Sequence, residues 1–282
     1  MMINYQLHVH SDFSDGRAVP EDYVKKAVLL GFQALGFSEH SPLPFSTPFS
    51  LKAEKGDAYV RETARLKELY AGKIKLFRAL EFDFVPGFSE NFAFWRKKLL
   101  LDYAIGSVHL VRPDGDERLW FIDGPERKRY DDGLQQLFGG DIRKAVKTYF
   151  SQVNRMIETQ PFEIVGHMDK IKMHNAGRFF REDEKWYRNL VTETLQLIKE
   201  KDLVVEINTR GKYKKRAQAF FPDGETLRQV KEMKIPVLIS SDAHHPDELN
   251  LLVDEAANRL LEMGIRSVVF LKDGMWEEVP LI

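Results

Sequence analysis

Short apolar runs alternate along the chain with longer segments whose apolar residues recur at helical spacing. Residues 3–7 read as a strand, and 20–30 as a helix that opens with Pro-Glu-Asp and closes at Gly31. Further strands are expected at 34–37, 74–80, 103–107, 162–165, 203–207, 236–239 and 267–271. Helical patterns at 57–70, 92–100, 141–158, 182–201, 225–234 and 247–263 fall between them. Strands separated by helices imply parallel pairing through right-handed crossovers. Seven such units, with an eighth apolar run near the end, predict a TIM-like β/α barrel rather than an open doubly wound sheet. No Gly-x-Gly-x-x-Gly or Walker loop follows a strand, which weakens the nucleotide-fold alternative.

Three polar segments, 41–56, 112–140 and 170–181, are long and rich in Gly, Pro or charge. Each follows the C-terminal end of a strand, where barrel loops ring the active-site face, so they are candidate lids or specificity loops. A chain of 282 residues fits one such domain, and residues 1–282 are read as a single unit.

Composition narrows the function classes. A net charge of −1 supplies no global field for nucleic acid or an anionic membrane, though it leaves room for a local phosphate pocket. With no cysteine, disulfides, thiolate zinc clusters and a cysteine nucleophile are impossible, and a reducing cytoplasm is the expected location. The N-terminus lacks the basic start and apolar run of a signal peptide, and no stretch approaches the roughly 20 apolar residues that span a bilayer.

The histidines carry the chemistry. Of eight, six fall at or just beyond the end of an expected strand: His8, His10, His40, His109, His167 and His244. Asp15, Glu81 and Asp242 share that position. His8-Val9-His10 has strand spacing, so both rings face one side. Any one of these histidines alone is more often structural than a ligand, but repetition along one rim is not. Imidazole and carboxylate suit zinc, iron or manganese, and nine such groups fit two or three divalent ions with a bridging carboxylate. Such a site predicts a hydroxide held between two metals as the attacking group.

His8-Val9-His10 with Ser14-Asp15-Gly16, then Ser38-Glu39-His40, Glu81, Ser107-Val108-His109, Gly166-His167-Met168-Asp169 and Ser241-Asp242-Ala243-His244 resemble the PHP (polymerase and histidinol phosphatase) family. The likeness runs from residue 3 to about residue 264. Gly166-His167-Met168-Asp169, Glu206-Ile207-Asn208-Thr209 and the 241–245 segment lean toward its stand-alone histidinol-phosphate phosphatases. The resemblance implies a distorted barrel of seven strands with a trinuclear metal centre. It places His8, His10, Glu81 and Asp242 on one metal, with Glu81 bridging to a second completed by His109 and His167. Asp15, His40 and His244 would hold the third, although many members carry a histidine where Asp15 stands. Glu81 and Asp242 are the implied catalytic carboxylates.

A phosphate monoester also needs cations. Lys170, Lys172, His174 and Arg178 follow one strand, and Arg210, Lys212, Lys214 and Arg216 follow the next. Arg210, Arg216, Lys172 and Lys214 are the expected phosphate contacts, with the arginines preferred for bidentate binding. Asp169, Glu206, Asn208 and His245 are expected to support the ligands. Asp12 and Asp83 rank below the nine, and Phe92, Phe94 and Trp95 read as helix-packing core.

The implied reaction is hydrolysis of L-histidinol phosphate in histidine biosynthesis, on a small-molecule substrate with no nucleic acid or membrane partner. One alternative is a phosphoesterase acting on nucleotides or short nucleic acids, for which the basic 210–216 segment is a footprint. Another is a non-catalytic domain of the same type, which would have broken ligand motifs. An amidohydrolase barrel also begins with His-x-His, but its usual bridging lysine has no counterpart at Glu81.

Overall fold

The computed structural model describes residues 3–272 and 274–281; Met1, Met2 and Ile282, the ends of the expected 1–282 domain, and Asp273 lie outside them. The chain runs β1 (Tyr5–Gln6), α1 (Pro20–Leu29), β2 (Ala34–His40), α2 (Gly56–Leu69), β3 (Lys75–Asp83), α3 (Phe92–Lys98) and β4 (Tyr103–Ser107). A small hairpin, β5 (Leu110–Val111) and β6 (Trp120–Phe121), precedes α4 (Arg127–Phe138) and α5 (Ile142–Thr159). Then come β7 (Ile164–Val165), α6 (Lys185–Glu200), β8 (Val204–Asn208), α7 (Arg210–Tyr213), α8 (Gly224–Glu232) and β9 (Val237–Ser240). α9 (Val253–Glu262), β10 (Ser267–Lys272) and β11 (Met275–Pro280) end the described chain.

The parallel strands lie in the order β1-β2-β3-β4-β7-β8-β9. A bridge between Val9 and Ala243 joins the first to the last, so the barrel nearly closes. That junction is tied where His10 N donates to Ala243 O at 2.9 Å and Ala243 N donates to His8 O at 3.2 Å. The expected strand 3–7 is therefore shortened, because the chain bends beyond Gln6 to deliver His8 and His10 to the rim. β2, β4, β8 and β9 are buried throughout, as parallel strands covered on both faces must be. Inside, Tyr103 reaches across and its hydroxyl donates to Leu7 O; a Cβ at Gly36 would lie 2.0 Å from that hydroxyl, so glycine is required there.

The covering helices form for local reasons. α5 starts where the Asp141 carboxylate accepts from Lys144 N at 3.0 Å, and it buries Ala145, Val146, Tyr149, Phe150, Val153, Met156 and Ile157 along one stripe. Each such side chain contributes about 1.5–3 kcal/mol of apolar burial where it is large. Phe92 and Trp95 are core as expected, with Phe92 stacked on Phe82 at 4.2 Å, but Phe94 is 56% exposed on the outer face of the same helix.

Other expectations need correction. The eighth apolar run is not a barrel strand: β10 pairs antiparallel with β11, and this hairpin packs where the barrel strands begin. The expected loop 112–140 holds β6 and α4, whose Tyr130, Leu134 and Phe138 form a buried stripe. The expected helix 247–263 is interrupted, because Leu252 takes a left-handed conformation (φ 58°) just before α9.

Candidate metal centre

Each barrel strand delivers its polar residues at its C-terminal end. His40 and Glu81 pair across β2 and β3, and Asp83 pairs with Ser107, two residues before His109. His167 and Asp242 lie two residues past the ends of β7 and β9 and have positive φ, 25° and 50°. Two non-glycine residues held there mark backbone strain where side chains are aimed into a site.

Glu81 is the centre. Its Oε2 lies 3.2 Å from His8 Nε2, 3.5 Å from His10 Nε2 and 3.1 Å from His40 Nδ1. Its other oxygen, Oε1, lies 2.8 Å from His167 Nε2 and 3.6 Å from His109 Nε2. The carboxylate thus presents its two oxygens to two different histidine groups, the disposition a bridging ligand needs. Asp242 Oδ1 stands 3.5 Å from His10 Nε2 and 3.8 Å from His8 Nε2. Asp15 Oδ1 lies 3.1 Å from His244 Nε2 and 3.8 Å from His40 Nε2.

Four groups have ligand atoms close enough to share an ion: His8 with His10 and Asp242; Glu81 with His109 and His167; His10 with Asp15, His40 and His244; and His40 with Asp83 and His109. His8 Nε2, both His10 nitrogens, His40 Nδ1, Asp15 Oδ1 and Asp242 Oδ1 are buried without a hydrogen-bond partner. Buried polar atoms left this way are costly unless something coordinates them, and imidazole with carboxylate is a divalent-metal donor set. The residues fit metal.

Neighbouring groups choose the tautomers. Glu206 accepts from His8 Nδ1 at 2.5 Å, Asp83 accepts from His109 Nδ1 at 2.5 Å, and the Asp242 carbonyl accepts from His244 Nδ1 at 3.0 Å. Each contact leaves an Nε2 lone pair facing the cluster. Glu206 also accepts from His167 N, from the Ser240 hydroxyl and from Asn208 Nδ2, whose second contact is Asp242 Oδ2 at 3.1 Å. Glu39 performs a similar task for the Asp15 loop, accepting from Ser11 N and from the Ser11 and Ser14 hydroxyls. Burial pushes its carboxyl up to about 7 against the pull of those hydroxyls. Gly16 closes that loop so tightly that a Cβ would meet His10 O at 2.0 Å.

Charge is distributed unevenly over the cluster. Burial opposes a proton on His8, but Glu206, Glu81 and Asp242 outweigh it and lift its pKa well above the imidazole range. Burial likewise opposes charge on His40, yet Glu81 and Asp15 raise it to about 10. His10 is driven the other way, by burial and then by His244 and His40. Burial also opposes charge on Glu81, but the surrounding histidines hold it well below the carboxylate range. Protons thus occupy the metal-free cluster, and cations must displace them.

Above the cluster lies a cavity of about 310 Å³. Lys170, Arg210 and Arg216 line it beside Asp15, His40, His109, Asp242 and His244. Lys170 is held 2.7 Å from Asp123 Oδ2, Arg216 lies 3.7 Å from Asp123 Oδ1, and Arg210 donates to Asp242 O at 2.8 Å.

Four expected site residues are elsewhere. Lys172 is turned onto Asp169 (2.7 Å) and Glu182 (3.0 Å), and Lys214 onto Glu248, so neither lines this cavity. Asp169 is thereby tied to Lys172 and contacts no histidine of the cluster. His245 is 45% exposed, its Nδ1 accepting from Asp247 N at the start of a short 3₁₀ turn. Arg178 is engaged by Asp131, and Lys212 by Glu255. Asp12 is exposed. Asp123 was missed, although Trp120-Phe121-Ile122-Asp123 repeats the pattern of an apolar run followed by an acid.

The chain is similar to proteins named histidinol-phosphatase. A Deinococcus radiodurans protein named "Probable histidinol-phosphatase" is 28% identical over 270 residues, covering 93% of this chain and 95% of that protein. A Bacillus subtilis histidinol-phosphatase is 26% identical over 257 residues, 86% of this chain and 94% of that protein. The fold matches the crystal structure of histidinol phosphate phosphatase from Lactococcus lactis, complexed with zinc, L-histidinol and phosphate. The TM-score is 0.72 at 21% identity, over 98% of this chain and 100% of that one. A PHP domain model matches residues 6–210, the span that carries all the named cluster residues except Asp242 and His244, and the chain belongs to the PHP domain family.

Proposed function

We propose that the chain is a metal-dependent phosphomonoesterase that hydrolyses L-histidinol phosphate to L-histidinol and phosphate. One observation carries the reading: a buried imidazole–carboxylate cluster and the cations Lys170, Arg210 and Arg216 face the same cavity. The substrate follows from the names of the Deinococcus and Bacillus relatives and from the histidinol and phosphate in the Lactococcus complex.

In this reading the whole chain is one domain with two to three divalent ions, drawn from zinc, iron and manganese. His8, His10, Glu81 and Asp242 would hold one; Glu81, His109 and His167 would hold the second; Asp15, His40 and His244 would hold the third. Bound there, such ions supply an acidified water at neutral pH and neutralise phosphoryl oxygens. The chain's own groups do the rest. Glu206 and Asp83 fix the rings of His8 and His109. Lys170, Arg210 and Arg216 receive the phosphoryl oxygens, with Asp123 orienting Lys170 and Arg216. The oxygen of water bonds to phosphorus, the ester P–O bond breaks, and a proton given up by the water ends on the departing oxygen, so that alcohol and phosphate are released.

The test is turnover by metal-reconstituted protein on L-histidinol phosphate, sugar phosphates, nucleotides and short oligonucleotides, with metal per chain measured alongside. L-Histidinol phosphate is expected to be clearly the best substrate. A nucleotide or oligonucleotide turned over faster overturns the assignment, and no turnover at full metal content favours a binding domain.

A further inference from the structure

Two unlike sets of side chains wall the cavity over the cluster. Lys170, Arg210 and Arg216 are the cationic set; Phe49 and Phe121, with Pro48 and Pro125, are the apolar one. The two phenylalanines come from different segments, the β2–α2 loop and β6, yet their rings stack at 5.9 Å with planes 8° apart. Phe49 also meets the His40 ring edge-on at 5.2 Å. Both rings are only half-buried and neither belongs to the hydrophobic core. Core packing therefore does not account for them.

Phe121 is firmly placed. Trp120 beside it is buried and donates its indole N–H to Tyr130 O at 3.0 Å. A Cβ at Gly124 would lie 3.3 Å from the Phe121 ring, and the Gly124 carbonyl is held by His174 Nε2 at 2.7 Å. The segment carrying the ring is thus pinned to the loop that carries Lys170, so the aromatic and cationic walls keep a fixed relation.

Aromatic faces carry the negative side of a quadrupole. A phosphoryl dianion goes to the cations and leaves the rings to the other half of the ester. We infer that Phe49 and Phe121 bind the leaving alcohol, and that they select phosphate monoesters whose alcohol carries a flat ring, a cationic ring best of all. This rests on the phosphomonoesterase reading above, and it assigns the half of the substrate that the metals and cations do not recognise. The imidazole of L-histidinol has the required shape and can carry the charge.

The two products of the reaction separate the walls. Metal-loaded enzyme hydrolysing L-histidinol phosphate is inhibited in turn with L-histidinol and with inorganic phosphate. Phe121→Leu keeps the apolar bulk and removes the π face. It should raise the inhibition constant of L-histidinol about five- to tenfold and move that of phosphate by less than about twofold. Phe49→Leu should act in the same direction and serves if the first variant fails to fold. Arg216→Ala should do the reverse, weakening phosphate about tenfold and sparing L-histidinol. Both inhibitors weakened equally by Phe121→Leu would make the pair a lid and overturn the inference. So would an unchanged L-histidinol constant, or a wild-type enzyme that L-histidinol does not inhibit. A wild-type protein that leaves L-histidinol phosphate intact sinks the phosphatase reading instead.

Discussion

At the C-terminal rim of the barrel, imidazoles and carboxylates crowd together below solvent, several with no partner for a nitrogen or oxygen. At the opposite rim, β10 and β11 close the structure with backbone ladder bonds and apolar contacts. There Tyr5 stacks on Phe270 at 5.2 Å and donates its hydroxyl to Val269 O, and Leu271 lines one groove with Ile74, Leu76 and Phe77. The second rim satisfies itself from its own side chains. The first needs cations from outside the chain, since buried charges without partners are costly. Substitutions at one rim should therefore register as lost metal and turnover, and at the other as lost stability.

The largest effect is expected at Glu81, whose two oxygens face two groups of histidines, His8, His10 and His40 on one side and His109 and His167 on the other. Glu81→Gln removes the charge and one acceptor, so turnover should fall to background and metal per chain should drop. Steady-state rates and metal analysis of the purified variant check both. A fully active Glu81→Gln enzyme would break the comparison at its centre.

Next is Glu206, which is fully buried and holds His8 Nδ1 and His167 N. Glu206→Gln should weaken metal binding by roughly 10–100-fold, the usual cost of losing a group that orients a ligand. A chelator competition titration reads this directly. Unchanged affinity would mean that Glu206 serves packing alone.

Glu39→Gln sharpens the picture within the rim. Glu39 gathers Ser11 and Ser14 and so sets the loop that carries Asp15, while Glu81, His109 and His167 do not depend on it. An amide offers one acceptor oxygen in place of two. The variant should lose the metal nearest Asp15 and keep the others, with a smaller fall in turnover than Glu206→Gln. Loss of all metal together would show that the three groups assemble as one.

Periodicity made the barrel legible because strands buried on both faces are continuous apolar runs, and the helices between them carry clear stripes. The cluster could be read because ligand chemistry falls at strand ends, where fold and function coincide in sequence. What could not be read were the contacts that decide between neighbours. Lys170 and Lys172 are two residues apart in one short 3₁₀ turn, and only the folded position of Asp123 against that of Asp169 and Glu182 sends one into the cavity and the other away. Lys214 and Arg216 divide in the same way, by the placement of Glu248 and Asp123. The β10–β11 hairpin is not legible because the apolar run 267–271, five residues long, reads alike in a barrel and in a hairpin.

The smallest effect on turnover is expected at the other rim. Leu271 is 3% exposed and lines a groove with Ile74, Leu76 and Phe77, at the start of β3 rather than its end. Leu271→Ala leaves a cavity and should cost about 2–5 kcal/mol of unfolding free energy, depending on how far Ile74 and Phe77 can collapse into it. Denaturant titration of the metal-free and metal-loaded proteins measures the loss, which should be similar in both. Turnover per folded molecule should not change, because the strands reach the cluster through a buried core that the hairpin covers at one end only. If turnover does change, strain is passing along the strands from one rim to the other, and the two rims are not independent.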